Sequence, residues 1–185
     1  MGGESGPGEG SMGGQRAGLR SEPAAGAEPV LVSACLVGKP CTYKGTHNGD
    51  EVLRARLERE GLRPVPFCPE EHGGLGTPRP AADLTGSAAD VLDGDARIVT
   101  EAGADVTAPF RRGAKGALDA CKNAGIRRAF LKERSPSCGC AFTHVNGELV
   151  PGPGLTAEVL TRAGIACEGV EGRRPLDPDG GPARP

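Results

Sequence analysis

The chain has no tryptophan, and aromatic residues make up 3% of its 185 positions. Excess charge of one sign is also missing. Between Pro29 and Glu168 there are 17 Lys or Arg and 17 Asp or Glu, so the formal net charge of −2 arises in the N-terminal stretch. A neutral core lacks the basic footprint of a duplex-DNA binder. No apolar run approaches the roughly 18–20 residues of a membrane span, and residues 1–28 hold no apolar signal-peptide segment, so no membrane association is expected and the cytoplasm is the expected compartment. In that reducing setting the seven cysteines read as metal ligands, redox groups or buried apolar fillers rather than as a disulfide framework.

Glycine and proline, by contrast, are abundant at 31 and 17 residues, a level that invites a low-complexity reading. Their placement argues otherwise. Residues 1–28 hold nine of the glycines, and residues 169–185 hold four glycines and four prolines. Both ends lack hydrophobic periodicity and offer too little apolar surface to offset the entropy of ordering, so 1–28 and 169–185 are predicted to be disordered tails. The remainder, 29–168, is long enough to bury roughly two-thirds of its unfolded surface as one domain.

Inside that domain, strand and helix signals alternate. Pro29 to Ser33 is a short apolar run read as a buried strand. Asp50 to Glu60 puts Val52, Leu53 and Leu57 on one helical face, with Asp50 as N-cap and Gly61 as stop. Arg63 to Phe67 reads as a strand weakened by two prolines. Ala96 to Thr100 and Asp105 to Thr107 suggest a hairpin, and Thr107 is expected to cap a long helix ended by Gly125. Arg127 to Lys132 is a third strand; Thr156 is expected to cap a last helix stopped by Gly164, and Ile165 to Cys167 forms a final strand. The pattern predicts an α/β domain with a mainly parallel sheet flanked by helices, a Rossmann-like three-layer arrangement.

Three cysteines share a place in this scheme. Cys35 and Cys68 follow the first and second strands, and Cys138 closes the turn after the third. In a parallel α/β sheet all carboxyl strand ends lie on one edge, where such folds bind ligands. Their local sequences, Cys-Leu-Val-Gly, Cys-Pro-Glu and Pro-Ser-Cys-Gly, are tight turns that bring backbone N–H groups near sulfur. Buried structural thiols are the competing reading, and it is preferred for Cys121 and Cys167, which sit on an apolar helix stripe and in an apolar strand. Cys41 and Cys140 remain ambiguous. The absence of a local Cys-x-x-Cys knuckle argues against a structural zinc site. If three thiolates meet without an obvious fourth, an open coordination position results, which is the mark of a catalytic centre.

Val32 to Gly38 (VSACLVG), Cys68 to Pro80 (CPEEHGGLGTPRP), Asp105-Val-Thr and Leu131 to Gly139 (LKERSPSCG) resemble, in order, a bacterial domain family first described without a function, whose characterised members are thiouracil desulfidases. The resemblance runs from about Val30 to Cys167. It implies a [4Fe–4S] cluster held by Cys35, Cys68 and Cys138, whose fourth iron binds the sulfur of a thiolated pyrimidine while water replaces that sulfur at carbon without net redox change. Glu70 is then the expected general base or proton shuttle. Ser135 is expected to position water or substrate, with Ser137 as runner-up, and Arg79 and Lys132 to hold the substrate or to pair with Glu70 and Glu133. His47, His72 and His144 receive no role. The chain departs from the family pattern at Thr42-Tyr43-Lys44-Gly45, where Arg-Tyr-Asp-Gly is usual, and at Cys140, where a small non-thiol residue is usual. The alternative from a different class is a non-catalytic iron–sulfur or zinc binding module, or a sulfur carrier.

Overall fold

The computed structural model describes Gly2 and residues 26–175, so the two predicted tails lie largely outside the described residues. In chain order it contains β1 (Pro29–Ser33), α1 (Glu51–Arg59), β2 (Arg63–Phe67), α2 (Pro69–His72), β3 (Ala82–Leu84), α3 (Ala88–Asp93), β4 (Ile98–Thr100), α4 (Thr107–Ala124), β5 (Arg128–Lys132), β6 (Phe142–Val145), β7 (Glu148–Pro151), α5 (Leu155–Arg162) and β8 (Ala166–Val170).

The main sheet has the order β2-β1-β5-β8, with every pair parallel. Period-two alternation along β1 divides its side chains between two layers. Val30 and Val32 pack with Leu53 and Leu57 of α1, whereas Leu31 packs with Ala117 and Cys121 of α4 and Ala157 and Leu160 of α5. β2 carries Pro64 and Pro66 and lies at the sheet edge, where missing N–H groups do not interrupt a ladder. Asp50 caps α1 as expected, its carboxylate accepting from the Leu53 N–H at 2.8 Å. None of the described helices is long and apolar enough to cross a membrane.

A second sheet, β4-β3-β6-β7, was not expected from the sequence. β3 pairs antiparallel with β4 and parallel with β6, and β6 and β7 form a hairpin. Its strands run three or four residues, too short for alternation to rise above background. The hairpin expected between 96–100 and 105–107 shrinks to a single bridge, Val99 with Asp105, because β4 instead pairs along its length with β3. Phe110 and Ala114, near the start of α4, pack on this sheet with Leu84 and Ile98, so α4 joins both sheets.

Two expected caps are reassigned. Val106 occupies the N-cap position of α4, and Thr107 Oγ1 accepts instead from the Ile98 N–H at 2.8 Å. Gly154 precedes α5, while Thr156 Oγ1 lies 2.9 Å from Ser137 Oγ. In both cases a long-range polar partner takes the hydroxyl that a local cap would have used. The C-terminal boundary also moves outward, since β8 continues to Val170. Beyond it, Arg174 Nε donates to Asp50 at 2.7 Å and the Arg174 carbonyl accepts from the Glu51 N–H at 3.0 Å.

Candidate functional site

Three strand ends supply the thiols. β1 runs into a 3-10 turn, Ala34–Val37, that holds Cys35, and Cys68 is the N-cap residue of α2 directly after β2. α2 is seated against α4 by close backbone approach: a Cβ at Gly113 would lie 2.0 Å from the Pro69 carbonyl oxygen. Only glycine fits there, and the contact fixes the turn that carries Cys68 and Glu70.

Cys138 is delivered by the loop after β5, and buried Glu133 shapes that loop. Its carboxylate accepts from the N–H groups of Cys140 at 3.2 Å, Ala141 at 3.0 Å and Phe142 at 2.8 Å, so a side chain replaces the ladder partners the loop lacks. Ser135 Oγ accepts from the N–H groups of Ser137 at 3.2 Å and Cys138 at 3.1 Å, closing the turn.

Cys35, Cys68 and Cys138 line one cavity of about 660 Å³ together with Glu70, Lys132 and Ser135. Cys41, ambiguous by sequence, joins them and is 2% exposed. Its six-residue separation from Cys35 is the signal that could have found it. The other three thiols, Cys121, Cys140 and Cys167, pack in the apolar layer between the main sheet and α4 and α5.

The thiols are electrostatically unequal. A hydrogen bond from Cys41 lowers the pKa of Cys35 despite burial, and the same contact is the main reason Cys41 is pushed up to about 11. Cys68 is raised, first by its hydrogen bond with Cys41 and then by burial. Burial pushes Cys138 up to about 12, opposed by hydrogen bonds from Ser33 and Ser137. A cation or cluster that takes these sulfurs as thiolates therefore displaces protons from the site. Soft sulfur donors converging from separate turns suit an iron–sulfur cluster, and Cys35, Cys68 and Cys138 are the three such donors at strand ends.

The polar residues fall into two groups. Glu70 Oε2 is 2.7 Å from Arg79 Nε, and Arg79 also donates to Gly76 O at 3.1 Å, Thr77 Oγ1 at 3.2 Å and Cys41 O at 3.0 Å. Arg79 is thus bound into the cavity wall and pairs with Glu70, one of its two expected uses. Lys132 Nζ donates to the Glu133 backbone carbonyl at 2.7 Å rather than to its carboxylate, and burial lowers its pKa below the ordinary lysine range. Ser137, expected as a substrate contact, is 1% exposed and its hydroxyl is bonded to Thr156; it supports the site through Cys138 and through its N–H on Ser135 Oγ. Among the unassigned histidines, His144 lines the cavity, His72 packs against Phe67 with ring centroids 4.9 Å apart, and His47 accepts from the Gly49 N–H.

Comparison with known proteins bears on this site. Residues 30–170 match the family described as 2-thiouracil desulfurase. The chain is 41% identical over 139 residues to Uncharacterized protein YbbK of Bacillus subtilis (strain 168), covering 73% of this chain and 91% of that protein. It is also similar to a solved structure of the [4Fe-4S]-dependent thiouracil desulfidase TudS, with a TM-score of 0.66 and 44% identity over 77% of this chain and 90% of the other. With the strand-end thiols in place and the match reaching from β1 to the end of β8, the chain belongs to the 2-thiouracil desulfurase family.

Proposed function

We propose that this protein removes sulfur from a thiolated pyrimidine base or a related small thiocarbonyl compound, releasing sulfide, and that Cys35, Cys68 and Cys138 hold its cluster. The protein is an enzyme of the iron–sulfur-dependent desulfidase class, and its cofactor is a [4Fe–4S] cluster. The observation that carries the reading is the convergence of these three thiols and Glu70 on one cavity. When bound, the cluster supplies a Lewis-acidic iron with an open position for sulfur.

The reaction exchanges one C=S bond for one C=O bond. Water gives its oxygen to carbon, and its two protons leave with the sulfur as hydrogen sulfide, so no electrons are transferred. The chain's own task is to position water and move those protons. Glu70 Oε is the group we assign to proton transfer, held in place by Arg79. Ser135 uses its lone pairs on backbone N–H groups, which leaves its hydroxyl proton to orient water or the substrate carbonyl. Lys132, Phe67 and Pro136 complete the cavity wall. Ser33 and Ser137 steady Cys138.

The test is an anaerobic assay of the cluster-loaded protein for sulfide release from 2- and 4-thiouracil and thiolated nucleosides. Sulfide released in step with the desulfurated base is the expected result. Cluster-loaded protein that releases none from any of these compounds would overturn the substrate assignment. Full activity in Cys35→Ala, Cys68→Ala or Cys138→Ala protein would overturn the ligand set.

A further inference from the structure

Cys41 has no part in the activity proposed above, yet it sits among the cluster thiols. Among the described residues, Cys41 Sγ, Cys68 Sγ and a Glu71 carboxylate oxygen lie within 4.8 Å of one another. Cys41 is also hydrogen-bonded through its thiol to Cys35. Four donors of this kind, three sulfurs and one carboxylate, form the ligand set of a mononuclear tetrahedral site. With metal–sulfur bonds of about 2.3 Å, the sulfurs of such a site stand roughly 3.8 Å apart; Cys41 and Cys68, within 4.8 Å of each other, reach that with a shift of about 1 Å or less, and Cys35, bonded to Cys41, completes the set by turning toward them.

The surroundings favour one ion rather than two packed thiols. Cys41 is buried and tied at its backbone, its carbonyl accepting from Arg79 at 3.0 Å and its N–H donating to Lys39 O at 2.8 Å. Cys68 is fixed as the N-cap of α2, and Glu71 projects one turn further along the same helix. Glu71 is held by Lys39 Nζ at 2.7 Å and Thr77 Oγ1 at 3.0 Å, contacts that leave further lone pairs on its carboxylate for a metal. The sequence offered no Cys-x-x-Cys knuckle because the donors arrive from two different strand ends.

We propose that Cys41, Cys68 and Glu71, with Cys35 as the fourth donor, form a site for a single thiophilic divalent cation, zinc by its chemistry, in protein that carries no cluster. Each ligating thiol releases its proton to solvent as the ion binds. Cys138 takes no part. The site and the cluster share Cys35 and Cys68 and cannot be filled together, so the ion competes with cluster assembly. The cation site stands whether or not the desulfidase reading holds; only the competition rests on it.

Titrating metal-free protein with Co2+ as a spectroscopic stand-in for zinc tests this. Expected are one Co2+ per chain, a thiolate-to-cobalt charge-transfer band with tetrahedral d–d bands, and bleaching on addition of zinc. Cys41→Ser should weaken binding by about 100-fold or more, at or above the top of the 10–100-fold range typical of losing an outer-shell partner, while reconstituted Cys41→Ser still shows iron–sulfur absorption. Cys138→Ala should do the reverse, keeping the cobalt spectrum and losing the cluster. Glu71→Gln, which leaves every thiol in place, should weaken cobalt binding by about 10-fold. An unchanged cobalt spectrum in both Cys41→Ser and Glu71→Gln overturns the proposal, as does its loss in Cys138→Ala or its absence in the parent protein. Failure of Cys41→Ser to take up the cluster would make Cys41 a cluster ligand and overturn it too. Failure of the desulfidase reading alone would instead appear as intact cobalt binding with no sulfide release.

Discussion

Arg79 Nε lies 2.7 Å from Glu70 Oε2, and both side chains are largely shielded from water. The same guanidinium reaches the Cys41 carbonyl, so one side chain fixes the proposed proton-transfer group and the loop carrying the fourth thiol. Its fork geometry permits this, because a lysine ammonium could not span both acceptors.

Removing the carboxylate tests its role directly. Glu70→Gln keeps the side-chain shape, so cluster absorption and substrate KM should stay near those of the parent. Sulfide-release kcat should fall by about 100-fold or more, as expected for losing a positioned acid or base. Unchanged kcat would return Glu70 to a structural role. Arg79→Lys should lower kcat as well, with a loss of about 1–3 kcal/mol in denaturant unfolding from broken charged hydrogen bonds.

Gly169 in β8 faces the carboxylate that shapes the Cys138 loop. A Cβ there would stand 1.7 Å from Glu133 Oε2. Gly169→Ala should therefore destabilise the protein by about 1–3 kcal/mol. Because the displaced carboxylate holds Cys140, Ala141 and Phe142, the variant should also lower iron content after reconstitution, which metal analysis would reveal.

The segment after β8 contributes to stability through Asp50, which is fully buried and bonded to Arg174. Arg174→Ala leaves that carboxylate its hydrogen bond from the Leu53 N–H at 2.8 Å but removes its charged partner, and should cost about 1–3 kcal/mol in urea unfolding. A midpoint equal to the parent's would mean that solvent replaces Arg174 without loss.

Alkaline pH should weaken the fold through a thiol remote from the site. Cys121 on α4 is pushed up to about 11 by burial, with Cys167 adding to the shift. Its folded pKa lies above its unfolded value, so its contribution is complete below the ordinary thiol pKa of about 8.5 and is lost as pH rises through about 11. Thermal unfolding across that window should show a falling midpoint, with a shallower slope in Cys121→Ala. Parallel slopes would remove Cys121 as a cause.

The main sheet was legible in sequence because β1, α1, β2, α4 and β5 are long enough for periodicity to appear, and Asp50 and Gly125 mark their ends locally. The second sheet was not, since three- and four-residue strands such as β3 and β6 are defined by their partners. Thr107 and Thr156 do not act as caps for a related reason: a hydroxyl bonds the strongest nearby partner, and here Ile98 and Ser137 come from elsewhere in the chain.

At the site, the sequence put Cys35, Cys68 and Cys138 just past the ends of parallel strands, which finish on one edge, and so raised the expectation that they meet there. It could not decide what lies between them. Tertiary packing brought Cys41 against Cys35 and Cys68, seated Arg79 on Glu70, and turned Ser137 away toward Thr156. Local pattern sets where a strand or helix begins and ends. Which side chains touch depends on loop paths and on competition among distant donors and acceptors, and only the folded chain resolves that competition.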